Sequence, residues 1–135
     1  MLTGIIPTTW QPQLQAALRI VTGLLFMEHG TSKVLHFPIN EMLSGMYSQM
    51  GGMTMGTGLV DLVGGILIVI GAFTRPVAFV LSGYMAAAFF LAHVSMGGIF
   101  PILNFGEAAV LFSFIFLYFA ATGAGPYSVD ASRGN

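Results

Sequence analysis

Glu28, His29, Lys33, Asp61, His93 and Glu107 are the side chains through which this sequence could do chemistry, because each interrupts an otherwise apolar stretch. Carboxylates, imidazoles and an ammonium group set in apolar surroundings can hold and pass protons, bind a cation, or receive the head group of a small polar molecule. Their spacing gathers them. Arg19, Phe26 and Lys33 recur every seven residues with Gly23 and Gly30 beside them, so on a helix they form one stripe. His29 borders that stripe, one turn from Lys33. Asp61 and Gly65 share a helical face, as do Ser82, Ala86 and His93.

The elements that must position these groups follow from composition. The chain has 135 residues, of which 56% are hydrophobic and 7% charged, with a mean hydropathy of +0.85. Soluble domains carry roughly 25% charged residues, so a water-soluble fold is excluded. A bilayer-spanning helix needs roughly 20 apolar residues, and this length accommodates about four and no second domain. The formal net charge of -1 leaves no basic stripe for nucleic acid. The absence of cysteine removes disulfides, cysteine-ligated zinc, iron–sulfur clusters and thiol nucleophiles together. No phosphate loop, Ser-His-Asp set or dinucleotide fingerprint is present.

Apolar runs and their breakers give four expected spans, forming an all-α membrane protein with an antiparallel four-helix transmembrane bundle. The first runs from about Leu14 to Leu35, the second from about Thr57 to Phe73, the third from Pro76 to about Met96, and the fourth from Asn104 to about Thr122. Thr74-Arg75-Pro76 is a short corner that makes spans two and three antiparallel neighbours. Between the first two spans, Met42, Met46 and Met50 recur every four residues, which predicts a short interfacial helix beginning after Asn40. Residues 1–15 lack a basic region ahead of a compact apolar core, so no signal peptide is expected there.

Basic residues flanking the spans set the expected orientation. Arg19, Arg75 and Arg133 collect on one side and Lys33 stands on the other, which places both termini inside, with Trp10 and Tyr127 as inner-interface anchors. All the ionisable residues named first then fall at the outer end of the bundle, where together they predict one polar pocket. Three carboxylates against one lysine leave a surplus of negative charge. A low-dielectric site relieves it by protonating a histidine or a carboxyl group, or by binding a cation.

Structural roles are available for the same residues. Asn104 and Glu107 have capping-box spacing, Asp61 can complement a helix N-terminus, Glu28 and Lys33 can pair or snorkel, and His93 can be a hydrogen-bonded packing residue. Met50, Met53 and Met55 could ligate Cu(I), or be soft apolar filler. His29 and His93 could ligate a haem from opposite helices.

Taken in order, several stretches resemble one family. They are Arg19 through Gly23-Leu24-Leu25-Phe26-Met27-Glu28-His29-Gly30 to Lys33, Gly64-Gly65 through Gly71 to Thr74-Arg75, His93, Asn104 with Glu107, and Gly123-Ala124-Gly125-Pro126-Tyr127-Ser128-Val129-Asp130. Their order and spacing are similar to those of the DoxX family of small four-helix membrane proteins. Two departures stand out: Asp61 occupies a place where the family often has Glu, and Pro126 one where Arg is common.

The resemblance implies a small membrane subunit of a quinone-linked oxidoreductase, such as a thiosulfate:quinone oxidoreductase, or of an assembly that resists oxidative stress. In that reading a quinone head group or small oxidisable substrate occupies the outer pocket. His29 or His93 accepts a proton, Glu107 or Asp61 relays it, and Glu28 and Lys33 help to hold the ligand. The chain has no electron carrier of its own, so a bound cofactor or partner redox subunit is required. The expected setting is the bilayer of the bacterial plasma (inner) membrane, multi-pass, N-in and C-in, alone or as a homo-oligomer. A small-solute or ion transporter and a non-catalytic membrane anchor are the alternative readings.

Overall fold

The computed structural model describes residues 4–135, and among them every regular element is helical. Helix α1 spans Gln11–Leu35, with Pro12 in its first turn, where a missing N–H costs nothing. Helix α2 spans Glu41–Met50; the Asn40 side chain caps it by accepting from the Leu43 amide at 2.8 Å. Helix α3 spans Met53–Ile70 and stops where Gly71 turns left-handed, at φ 68°. Helix α4 spans Thr74–Gly97 and contains one π turn, Phe89–His93. A short turn, α5, covers Pro101–Asn104, then α6 spans Glu107–Thr122 and α7 spans Val129–Ser132.

The helix bounds differ from the expected spans for local reasons. Helix α3 starts before Thr57 and ends before Phe73 because Gly71 caps it, so the corner falls before Thr74-Arg75-Pro76 and those three residues already belong to α4. The last long helix starts at Glu107 rather than Asn104, since Phe105 sits in the left-handed region at φ 58° and breaks the chain there. The Asn104–Glu107 capping box is not formed. The Asn104 Oδ1 accepts instead from the Gly106 amide at 2.8 Å. Two of the helices, α3 and α4, are long and apolar enough to cross a membrane, and α6 is a shorter apolar helix.

Small residues decide which helices meet. Helix α1 lies along α3, and α4 along α6. A Cβ added to Gly23 would stand 2.8 Å from the Val69 amide nitrogen, and one on Gly65 would stand 2.8 Å from the Met27 Cα. These backbones therefore touch with no side chain between them, as the stripe of Arg19, Gly23, Phe26 and Gly30 predicts. The two pairs join through aromatic packing. Phe26 of α1 meets Phe116 of α6 edge-on at 5.1 Å between ring centroids, and Phe112 at 5.5 Å. Ile68, Ala78, Leu81, Met85 and Phe119 complete the buried cluster. Large apolar side chains such as Val21, Leu25, Val63, Phe79, Phe90 and Phe114 point outward. Glycine, Arg19 and the Asp61 carboxylate inside, with aliphatic and aromatic surface outside, is the arrangement suited to lipid rather than water.

Candidate functional site

Asp61 is buried to 1% exposure, on the α3 face turned toward α1. An isolated carboxylate there would be prohibitively costly, and two neighbouring helices answer it. Lys33, arriving from the last turn of α1, places its Nζ 2.7 Å from Asp61 Oδ2. Tyr84, from the middle of α4, donates its hydroxyl to Asp61 Oδ1 at 2.9 Å. Each carboxylate oxygen therefore has its own donor, and three helices are pinned at one point. Gly58 makes room for the lysine: a Cβ there would lie 2.8 Å from Lys33 Cβ. A second pin lies nearby, where the Tyr47 hydroxyl donates to Ser32 Oγ at 2.9 Å and ties α2 back onto α1.

The other sequence-selected groups are disposed differently. His29 is exposed on α1, its ring edge-on to Phe112 with centroids 6.1 Å apart. His93 closes the π turn of α4, and its Nδ1 lies 2.9 Å from the carbonyl oxygen of Asn104. Glu28 and Glu107 are exposed, and neither carboxylate has a side-chain partner among the described residues. Of the six groups, only Lys33 and Asp61 meet directly. The surplus negative charge thus sits on two exposed carboxylates rather than inside the helices, while the one buried carboxylate is neutralised. Among the described residues, no three His, Asp or Glu side chains converge to hold a metal ion. Met53 and Met55 are exposed apolar surface.

Sequence spacing does not reveal Tyr84, since nothing local distinguishes it from the other aromatic residues of an apolar helix. The signal lies in Asp61 itself, which requires a donor beyond one lysine. Arg19 is likewise more than a stripe residue. It is fully buried, and its guanidinium donates to the carbonyl oxygens of Ala124, Pro126 at 3.2 Å and Tyr127 at 2.7 Å. Asp130 completes this end by accepting from the Phe73 and Thr74 amides, each at 2.9 Å, which caps α4 from far along the chain. Burial alone would raise the Asp130 pKa, but those amides and the charge of Arg133 outweigh it and hold the carboxyl below its ordinary range. The Gly123–Asp130 stretch is therefore a lid that joins α1, the α3–α4 corner and the end of α6.

Comparison with known proteins shows the family of the chain. The DoxX family model matches residues 14–94, which include most of α1, the Lys33–Asp61–Tyr84 network and His93. An uncharacterized protein of Haemophilus influenzae is 45% identical over 123 residues, covering 90% of this chain and 91% of its own length. No solved structure matches the chain. A family model covering more than half of the sequence, together with a relative of that identity along nearly its whole length, places this protein in the DoxX family.

Proposed function

We propose that this chain crosses the bacterial plasma membrane four times as an antiparallel bundle, both ends cytoplasmic, and serves as the small membrane subunit of a quinone-linked redox or oxidative-stress assembly. The observation that carries this reading is the Asp61 carboxylate, buried between helices whose outer faces are apolar and held by Lys33 and Tyr84. Ionisable groups at membrane depth are expensive, and where they persist they mark ligand or proton pathways. The side chains beside this network fit a quinone. His29 offers an exposed imidazole against the Phe112 ring, a hydrogen-bonding group beside an aromatic surface, and His93 stands on the neighbouring π turn. A bound quinone supplies the electron and proton couple. The residues of this chain orient its head group and exchange protons with it, while electrons pass between it and a partner subunit. The test is purification of the tagged protein from native membranes, followed by extraction for quinone, an absorbance spectrum and identification of co-purifying subunits. Bound quinone or a redox partner is expected; a colourless, quinone-free protein without a partner overturns the reading.

A second reading, the non-catalytic anchor, is favoured by the completeness of the Asp61 pairing, because a carboxylate with both oxygens satisfied works well as a strut. The readings part on the variant with Lys33→Met and Asp61→Leu together. A strut permits that variant to keep full assembly activity once it is inserted, whereas a functional network loses activity in membranes that still hold the protein.

A further inference from the structure

The Asn104 side chain is fully buried and makes both of its bonds within its own loop. Its Nδ2 donates to the Gly98 carbonyl at 2.7 Å, and its Oδ1 accepts from the Gly106 amide at 2.8 Å. These bonds clamp a tight reversal whose backbone is left-handed at Gly98, φ 81°, and at Phe105, φ 58°. The clamp fixes the Asn104 carbonyl, which lies 2.9 Å from His93 Nδ1. A carbonyl oxygen carries no proton, so Nδ1 must carry it and donate. In the neutral ring, Nε2 is then bare. Nε2 has no protein partner among the described residues, and His93 closes the π turn, a deviation often found at functional sites.

We propose that Asn104 is a positioning residue that holds His93 as a hydrogen-bond acceptor at Nε2, so that the ligand received there is a hydroxyl donor, the quinol rather than the quinone. This assignment rests on the quinone reading above and adds which redox form is bound. A quinone carbonyl presented to bare Nε2 would set two lone pairs against each other, whereas a quinol hydroxyl completes the chain from hydroxyl to imidazole to Asn104 carbonyl. The group that prepares the ring for this task is a backbone oxygen eleven residues further on, and its own side chain keeps it still.

Two measurements test the proposal on the full chain in detergent. Proton–nitrogen correlation of histidine-labelled protein at about pH 8, above the ordinary histidine range, should find His93 protonated at Nδ1 and bare at Nε2. The Asn104→Asp variant keeps the acceptor for Gly106 and loses the donor to Gly98, and it should mix the two tautomers. A wild-type His93 protonated at Nε2 overturns the positioning role. Calorimetric titration with decylubiquinol and decylubiquinone, the first kept reduced with dithionite, should favour the quinol by about tenfold, the scale of one hydrogen bond to this ring. Asn104→Asp should erase that preference. The chain has no cysteine for the reductant to alter. Equal binding of both forms, or tighter quinone binding, overturns the ligand assignment and leaves the quinone reading standing. Binding of neither form overturns both.

Discussion

Removing one partner of the Lys33–Asp61 pair should cost more than removing both. Asp61→Leu leaves the Lys33 ammonium without its carboxylate, and Lys33→Met leaves a carboxylate at 1% exposure supported only by a phenol. Each single change should destabilise the protein by roughly 3–5 kcal/mol, while Lys33→Met with Asp61→Leu should fall well below the sum. Tyr84→Phe removes one hydrogen bond and should cost about 1 kcal/mol. Denaturant titration in mixed micelles measures all four, and additive losses would show that the pair is not coupled. Glu107→Gln should change stability by less than about 1 kcal/mol, since that carboxylate only faces solvent at the first turn of α6. Lys33 and Asp61 are legible in the sequence because a charge inside an apolar run announces itself. Tyr84 is not, because the meeting of Asp61 and Tyr84 depends on the relative register of two helices, which no local pattern records.

At the scale of the elements, the glycine contacts of α1 and α3 fix how deep the polar network lies. Gly30→Val would drive a side chain into the backbone of α3 at Leu62 and should abolish the folded species, whereas Gly45→Ala in α2, with open space around it, should be neutral or gain up to about 1 kcal/mol from helix propensity. The comparison reads out as yield and melting temperature of the two variants. Comparable tolerance at both positions would mean that α1 and α3 do not approach as closely as described. The amphipathic α2, the α1 stripe and the α3–α4 corner are legible from periodicity and breakers. The start of α6 is not. Capping-box spacing points to Asn104, but the left-handed Phe105 and the Asn104–Gly106 bond direct the same residues to a loop clamp instead.

For the whole molecule, the proposed topology predicts that a reporter fused after Thr74 behaves as cytoplasmic and one near Gly52 as external. The reverse pattern would invert the placement of the Lys33–Asp61–Tyr84 network. The Asp130 cap adds a pH dependence at the opposite end. Its carboxyl is held below the ordinary range when folded, so its contribution is complete above the unfolded value of about 3.9 and disappears as the pH falls through the folded value. Asp130→Asn should therefore cost about 1 kcal/mol at neutral pH and flatten the acid limb of the stability curve. An unchanged acid limb would mean that the cap does not titrate with folding. That all three arginines sit at one end is legible from the sequence, but that the buried Arg19 is met by carbonyls rather than carboxylates is not, because backbone oxygens leave no trace in composition.

The bonds from Arg19 to Ala124, Pro126 and Tyr127 also impose an order of events on synthesis. The guanidinium emerges in the earliest long helix, and its first acceptor follows it by 105 residues, so it lacks these acceptors until α6 has been made. Translation arrested after Thr122 should leave that cation as a mark of immaturity, available to whatever machinery retains or degrades incomplete membrane proteins. Closure of the Gly123–Asp130 lid then converts a provisional insertion into a finished one, and the last contact made reports that every earlier helix has arrived.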